Sequence, residues 1–367
     1  MTKKLYNMKI GILTFHKVIN YGALLQAYAL NKKIRALGFE CEDIDYTSKE
    51  IADFYNPFKL KRISDLKDLI LHVMTWPWKI KTSRKFSQFV KENIPLSEIN
   101  YDNNISDAQG KYDILIAGSD QVWNYSLTGA DSNYMLAFDD KAKKISYAGS
   151  FGKTVLSTTE SEDAAKYLRL FSHISVREAS GKELVDKILK CNQTRIVLDP
   201  VFLLEKNEWV SIGDLPFYDN YILLFVLHKN KTIVEFAKKL SNETGKRIIQ
   251  LSNKINFDMD ITYSKGCGPK DFIGLINGAS YVVTDSFHAT SMSIILNKQF
   301  YVGLKKQKLA SLNTRIYSLL DMFGLQNRII GSIDSHNNEE IDYTEINEVL
   351  SQKRKESVDY LIQIITN

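Results

Sequence analysis

Only 6 prolines and 18 glycines occur among 367 residues, and neither a low-complexity tract nor an internal repeat is present. That composition excludes collagenous segments and long disordered linkers. Cysteine is scarcer still: Cys41, Cys191 and Cys267 are odd in number, far apart, and without His or Cys at metal-ligand spacing. A disulfide framework and a structural zinc are therefore not expected, and reduced, unreactive thiols are the better reading. No apolar run approaches the roughly 20 residues that a membrane helix needs. The longest, such as Tyr221 to Leu227, are strand-sized. The opening MTKKLYNMKIGILTFHKVINYGALLQ lacks the apolar core and small-residue cleavage site of a signal peptide, so a cytoplasmic location is expected. Also missing are a Walker-type loop, a GxGxxG after the first strand, an HExxH and a GxSxG. Nucleotide hydrolysis, simple dehydrogenation, zinc proteolysis and esterase chemistry lose ground accordingly, and transfer chemistry remains.

What is present fits a folded α/β protein. Hydrophobic residues make up 44% and charged residues 25%, and a chain this long exceeds what one core usually organises. The net charge of +5 is uneven: residues 59 to 91 hold nine Lys and Arg against Asp65 and Asp68. One basic face is implied. A nucleic-acid partner is not expected, because no recognition motif accompanies that charge.

Lys9 to Thr14 reads as a buried parallel strand, followed by a loop and a helix from about Gly22 to Leu37, with Gly38 as its stop. Glu40 to Tyr46 completes a β-α-β unit. Residues 47 to 110 break the alternation and read as a helical, basic insertion, in which Leu66, Leu69, Ile70 and Val73 line one face ahead of TWPWK. Strands are expected at 112 to 118, 143 to 149, 173 to 178 and 195 to 199, with helices near 159 to 170 and 178 to 190. Residues 199 to 220 lose periodicity and serve as the connection. A second alternating series follows, with strands at 221 to 227, 247 to 251, 280 to 284 and 299 to 303. The expected fold is α/β, two Rossmann-like doubly wound domains facing across a cleft: 1–205 with the insertion, and 206–367 ending in a C-terminal helix.

Chemistry is expected where loops leave the carboxyl ends of strands. After the first strand, Asn20, Tyr21 and Gly22 open a helix whose free amides favour an anion, unless Asn20 is only its cap. In GSDQVWN, Gly118 makes a turn and presents Ser119 and Asp120; Asp120 either takes a proton from a sugar hydroxyl or caps a short helix. Trp123 either stacks on a sugar or fills core. Arg177 ends HISVRE with a planar fork suited to a carboxylate or phosphate, the plain alternative being a salt bridge to Glu178. VVTDSFHATSMS sets Asp285, Ser286 and His288 at a helix mouth, where a histidine suits acid or base work. GCGPKDF exposes another helix start, which either holds a phosphate or merely begins a helix.

Six segments in this order, GILTFHKVINYGALLQAYAL, ILIAGSDQVWN, ISYAGSFG, ISVRE, LDPVFLL and VVTDSFHATSMSIILNKQF, resemble the polysaccharide pyruvyl transferase family over about residues 8 to 330. The resemblance implies a GT-B-like architecture and transfer of pyruvyl from phosphoenolpyruvate to two hydroxyls of one sugar, giving a cyclic ketal and phosphate. It implies catalytic roles for His288, as acid/base or phosphate contact, and for Arg177, as donor anion clamp, with Asp120 as a further catalytic residue. It places Asn20, Tyr21, Gly22, Gly118 and Ser119 on the acceptor side and Asp285 and Ser286 beside the donor. Arg315 is a further anion-binding residue. A lysine that relatives carry after a proline-rich strand is missing here, and Lys305 and Lys306 are its substitutes. No cofactor or metal is required. The partners implied are phosphoenolpyruvate and a saccharide, free or lipid-linked, in exopolysaccharide, capsule or cell-wall synthesis. The rival reading is a sugar-nucleotide-dependent GT-B glycosyltransferase. The basic insertion reads either as a solvated positive face, the commoner case, or as a peripheral contact with the inner face of the membrane.

Overall fold

The computed structural model describes residues 8–59, 66–255, 258–305, 313–331 and 339–367. In chain order its main elements begin with β1 (Lys9–Leu13), α1 (Tyr21–Ala36), β2 (Glu40–Asp43), α2 (Lys49–Tyr55), α3 (Leu66–Met74) and α4 (Trp76–Asn93). Next come β3 (Ile114–Ala117), β4 (Lys143–Ser146), α5 (Thr158–Leu168), β5 (Ser175–Val176), α6 (Ala179–Leu189) and β6 (Arg195–Ile196). The remainder comprises β7 (Tyr221–Phe225), α7 (Lys231–Thr244), β8 (Arg247–Leu251), β9 (Ile261–Ser264), α8 (Pro269–Gly278), β10 (Tyr281–Thr284), α9 (Phe287–Ile295), β11 (Gln299–Val302), α10 (Thr314–Phe323) and α11 (Tyr343–Thr366). The fold is α/β with parallel sheets. Two compact units result: residues 1–55, 90–204 and 348–367 form the first, and residues 56–89 and 205–347 the second.

In the first unit the strand order is β2-β1-β3-β4, all parallel. β1 is apolar on both faces, with Ile10, Ile12 and Leu13 fully buried, as a central strand covered by helices on both sides must be. The chain leaves β1 towards β2 on one side and returns to β3 on the other, which opens a switch point beyond the carboxyl ends of β1 and β3. α1 buries Leu24, Leu25, Ala27, Leu30 and Ile34, each large apolar side chain contributing about 1.5–3 kcal/mol. Past its last turn Gly38, at φ 93°, takes the left-handed turn that stops the helix. Isolated bridges Ile145↔His173 and Gly149↔Val176 carry the short β5–β6 pair alongside β4.

The second unit has order β11-β10-β7-β8-β9, again parallel throughout. β7 is buried at every position. Here the reversal lies between β7 and β10, so the loops after Phe225 and Thr284 flank the second switch point. β9 was not foreseen in the sequence: ITYS is a partly exposed edge strand with one fully buried position, too weak a pattern to stand out.

Expected boundaries and observed units differ at two places. Residues 56–89 of the insertion pack with the second unit, held by Lys85 to Asp271 at 2.7 Å and Asn253 Nδ2 donating to Thr82 at 2.9 Å. The end of α11 returns to the first unit, where Leu361, Ile364 and Ile365 join Ile10, Ile12 and Ile145 in one core. Arg354 Nε donates to Phe202 O at 2.6 Å and Ser357 accepts from Leu198 N at 3.1 Å. Among the described residues no helix is long and apolar enough to cross a membrane.

Candidate functional site

The first switch point is built around one arginine. Arg177, directly after β5, has a side chain with no exposure. Its Nη1 donates to Asp199 Oδ2 at 2.7 Å, its Nη2 to Asp120 Oδ1 at 3.0 Å and its Nε to Glu178 Oε2 at 3.3 Å. Burial alone would lower its pKa, but Asp120, Asp199 and Glu178 outweigh burial and raise it. Glu178 is held in turn by Ser150 Oγ–H, and Asp199 by Ser119 Oγ–H at 3.2 Å and Val201 N–H. The fork expected to hold a donor anion is thus engaged by carboxylates of its own unit. Asp120 sits at φ 72°, a left-handed conformation that costs a non-glycine residue energy and that the Arg177 contact helps to hold. Asp120 caps no helix.

Gly118 has a packing reason: a Cβ there would lie 2.7 Å from Thr14 Cβ. Thr14 Oγ–H donates to Ser119 O and accepts from Gln26 Nε2, tying the loops after β1 and β3 to α1. Asn20 is the cap of α1: its Oδ1 accepts from Gly22 N and Ala23 N at 3.0 and 3.3 Å. The amides expected to meet an anion are therefore taken by Asn20 itself, as short Asx side chains do at helix starts. Tyr21 is the first residue of α1 and Gly22 is buried at its second position. Trp123 is core, 1% exposed and 5.3 Å from the ring of Phe151.

Sequence reasoning passed over His16, in the same loop. It is buried, its Nδ1 3.1 Å from Thr14 O and its Nε2 3.3 Å from Asp45 Oδ1. Burial would raise Asp45, but hydrogen bonds from His16, Lys17 and Asn100 hold it down at about 2. Among the described residues the side chain of nearby Asp43 accepts from Asn31 Nδ2 at 2.9 Å, and burial pushes it up to about 7 against the pull of His16 and Asn31.

The second switch point has the opposite balance. Asp285, 1% exposed just beyond β10, accepts from Leu227 N at 2.7 Å and from His228 N and Nδ1 at 3.2 and 3.3 Å. Ser286 caps α9 by accepting from Ala289 N, and its own N–H donates to Thr284 Oγ1. His288 lies at the second position of α9, 8% exposed, its ring 5.1 Å from that of Phe287. The Arg315 guanidinium sits 5.9 Å from the centroid of the same Phe287 ring. Lys305, beyond β11, is pushed down to about 8 by burial and by the charge of Arg315, with Asp285 opposing. Among the described residues, Lys305 thus feels one further cation, Arg315, and one carboxylate, Asp285. Lys306 lies outside the described residues.

His228 and the glutamate and aspartate partners of Arg177 carried weak sequence signals: Glu178 as the immediate neighbour, Asp199 inside LDPVFLL, His228 none beyond its place after β7. The GCGPKDF helix start resolves as structural, since Asp271 accepts from Gly268 N at 2.6 Å and pairs with Lys85, filling the place an anion would take. Among the described residues no group of three or more His, Cys, Asp or Glu is placed to hold a metal ion.

No curated protein matches the chain. Among solved structures, it is similar to UDP-GlcNAc 2-epimerase from Methanocaldococcus jannaschii, at 12% identity and TM-score 0.45 over 94% of this chain and 100% of that one. It is also similar to UDP-GlcNAc 2-epimerase from Neisseria meningitidis bound to UDP-GlcNAc, at 9% identity and TM-score 0.49 over 97% and 99%. A third similar structure is the E. coli heptosyltransferase WaaC with ADP-2-deoxy-2-fluoro heptose, at 11% identity and TM-score 0.38 over 86% and 99%. The family model for polysaccharide pyruvyl transferase matches residues 20–302, and the chain belongs to that family.

Proposed function

We propose that this transferase moves the pyruvyl group of phosphoenolpyruvate onto two hydroxyls of one sugar, with the donor's anionic groups held at the second switch point. The observation that carries this reading is the pairing of Lys305 with Arg315 beside Asp285 at the mouth of α9. The buried Arg315 and the half-buried Lys305 repel each other, an added anion eases that repulsion, and the α9 amino terminus adds its dipole. A phosphate and a carboxylate on one small molecule meet that demand.

The chemistry needs an acid near the donor's methylene carbon and a base near each hydroxyl. A proton adds to the methylene, the first hydroxyl attacks the adjacent carbon and loses its proton, phosphate departs with the bonding pair, and the second hydroxyl closes the ring. Of the two hydroxyl protons released, one balances that added to carbon and the other leaves on phosphate. His288 is the acid in this scheme. Asp120, which the resemblance makes a further catalytic residue, is held by Arg177. Lys305 and Arg315 stabilise the charge that grows on departing phosphate, where fixed electrostatics contribute most.

Phosphate release from phosphoenolpyruvate with a panel of glycosides, run beside His288→Ala and Arg315→Ala, tests the proposal. Acceptor-dependent release that falls in both variants supports it. Turnover of a nucleotide sugar with no release from phosphoenolpyruvate would transfer the assignment to glycosyl transfer.

A further inference from the structure

In the second unit, α3 and the start of α4 turn their apolar side chains to the outside. Leu69, Ile70, Val73 and Met74 share one face of α3 and are 38%, 51%, 46% and 56% exposed. Trp76 and Ile80, one turn apart at the start of α4, are each 39% exposed. The other face of α4 is already committed to its unit: Lys265 Nζ lies 3.9 Å from the Trp78 centroid, Thr82 accepts from Asn253, Lys85 pairs with Asp271, and Phe86 is buried. Trp76 also meets the rings of Phe58 and His72 edge-on, yet among the described residues Leu69, Ile70, Val73, Met74 and Ile80 stay exposed, and a contiguous apolar face of this kind marks an interaction surface.

Charge selects the partner. No Asp or Glu occurs from Leu69 to Lys91. Lys81 and Arg84, both exposed, follow Ile80 by one and four residues and so flank the apolar face. Apolar side chains, an exposed tryptophan and flanking cations suit the headgroup layer of an anionic bilayer, where the ring sits at the boundary and long basic side chains reach outward to phosphate. We propose that α3 and the first turns of α4 dock this protein on an anionic lipid surface, lying along the membrane rather than crossing it. The residues involved are separate from those assigned to chemistry, so the proposal stands or falls apart from the transfer reaction.

Sedimentation of the full chain with vesicles tests it. Binding to phosphatidylglycerol mixed into phosphatidylcholine is expected to exceed binding to pure phosphatidylcholine by at least about tenfold and to weaken at high salt. Tryptophan emission should shift to the blue on binding. Trp123 and Trp209 are fully buried and Trp78 is half-buried, so Trp76→Phe should remove most of that shift while binding persists. Ile70→Glu with Val73→Glu is expected to cut binding about tenfold or more, and Lys81→Glu with Arg84→Glu several-fold, with thermal transitions unchanged because all four positions are exposed. Absent or equal binding to the two vesicle types would overturn the proposal. So would a dimer that the Ile70→Glu, Val73→Glu variant dissociates while vesicles are ignored, since the face would then be covered by a second copy of the chain.

Discussion

At the first switch point one buried guanidinium is enclosed by three carboxylates; at the second, one buried carboxylate is accompanied by two cations. Both lie beyond the carboxyl ends of parallel strands and both contain an arginine foreseen from sequence. Their surroundings make those arginines different objects. Arg177 is consumed in orienting Asp120, Glu178 and Asp199, and adding an anion there would oppose three like charges. Arg315 and Lys305 repel each other and gain from an anion. An arginine's role is thus set by the charge count around it more than by its position after a strand.

The strongest test of that contrast removes each arginine. Arg177→Met leaves three carboxylates without their shared cation, and a loss of about 3–5 kcal/mol in folding stability is expected, measured by denaturant unfolding near neutral pH. Arg315→Met should weaken phosphoenolpyruvate binding at least about tenfold, or roughly 1.4 kcal/mol, by calorimetry. Unchanged phosphoenolpyruvate binding in Arg315→Met would erase the distinction.

A finer test uses pH. Lys305 is held near 8, below its unfolded value, so it discharges as pH rises through about 8. Donor affinity should then fall by roughly three- to tenfold between about pH 7 and pH 9, and Lys305→Met should flatten that profile. Because the unfolded chain keeps the proton to higher pH, the same group makes folding more favourable as pH climbs from about 8 towards the ordinary lysine range.

The smallest expected effect concerns Asp43, a poorly compensated acid of the first unit. Asp43 is raised to about 7, so the folded state binds its proton more tightly than the unfolded one, and stability declines as pH rises from the ordinary aspartate range to about 7. Asp43→Asn keeps a group able to accept from Asn31 and removes the buried charge. A gain on the order of 1 kcal/mol at about pH 8, vanishing in acid, is expected in thermal melts at the two pH values.

Apolar runs such as KIGIL and YILLF were legible because a central parallel strand is buried on both faces, and helix spacing was legible wherever one face met a core. The expected strands at 173 to 178 and 195 to 199 shrink to Ser175–Val176 and Arg195–Ile196, since that pair has neighbours over only two residues. Leu69, Ile70 and Val73 share one helical face, as their spacing implies, but periodicity does not say whether such a face meets core or solvent.

The order of polar and apolar residues along this chain determined alternating strands and helices and the positions of the loops, because those follow from local period and spacing. Only the tertiary structure decided that Asp120 and Asp199, 57 and 22 residues from Arg177, close around it, that residues 56–89 join the second unit, and that α11 ends in the first. Those are outcomes of long-range packing and of the charge each buried group meets, and no local pattern carries them.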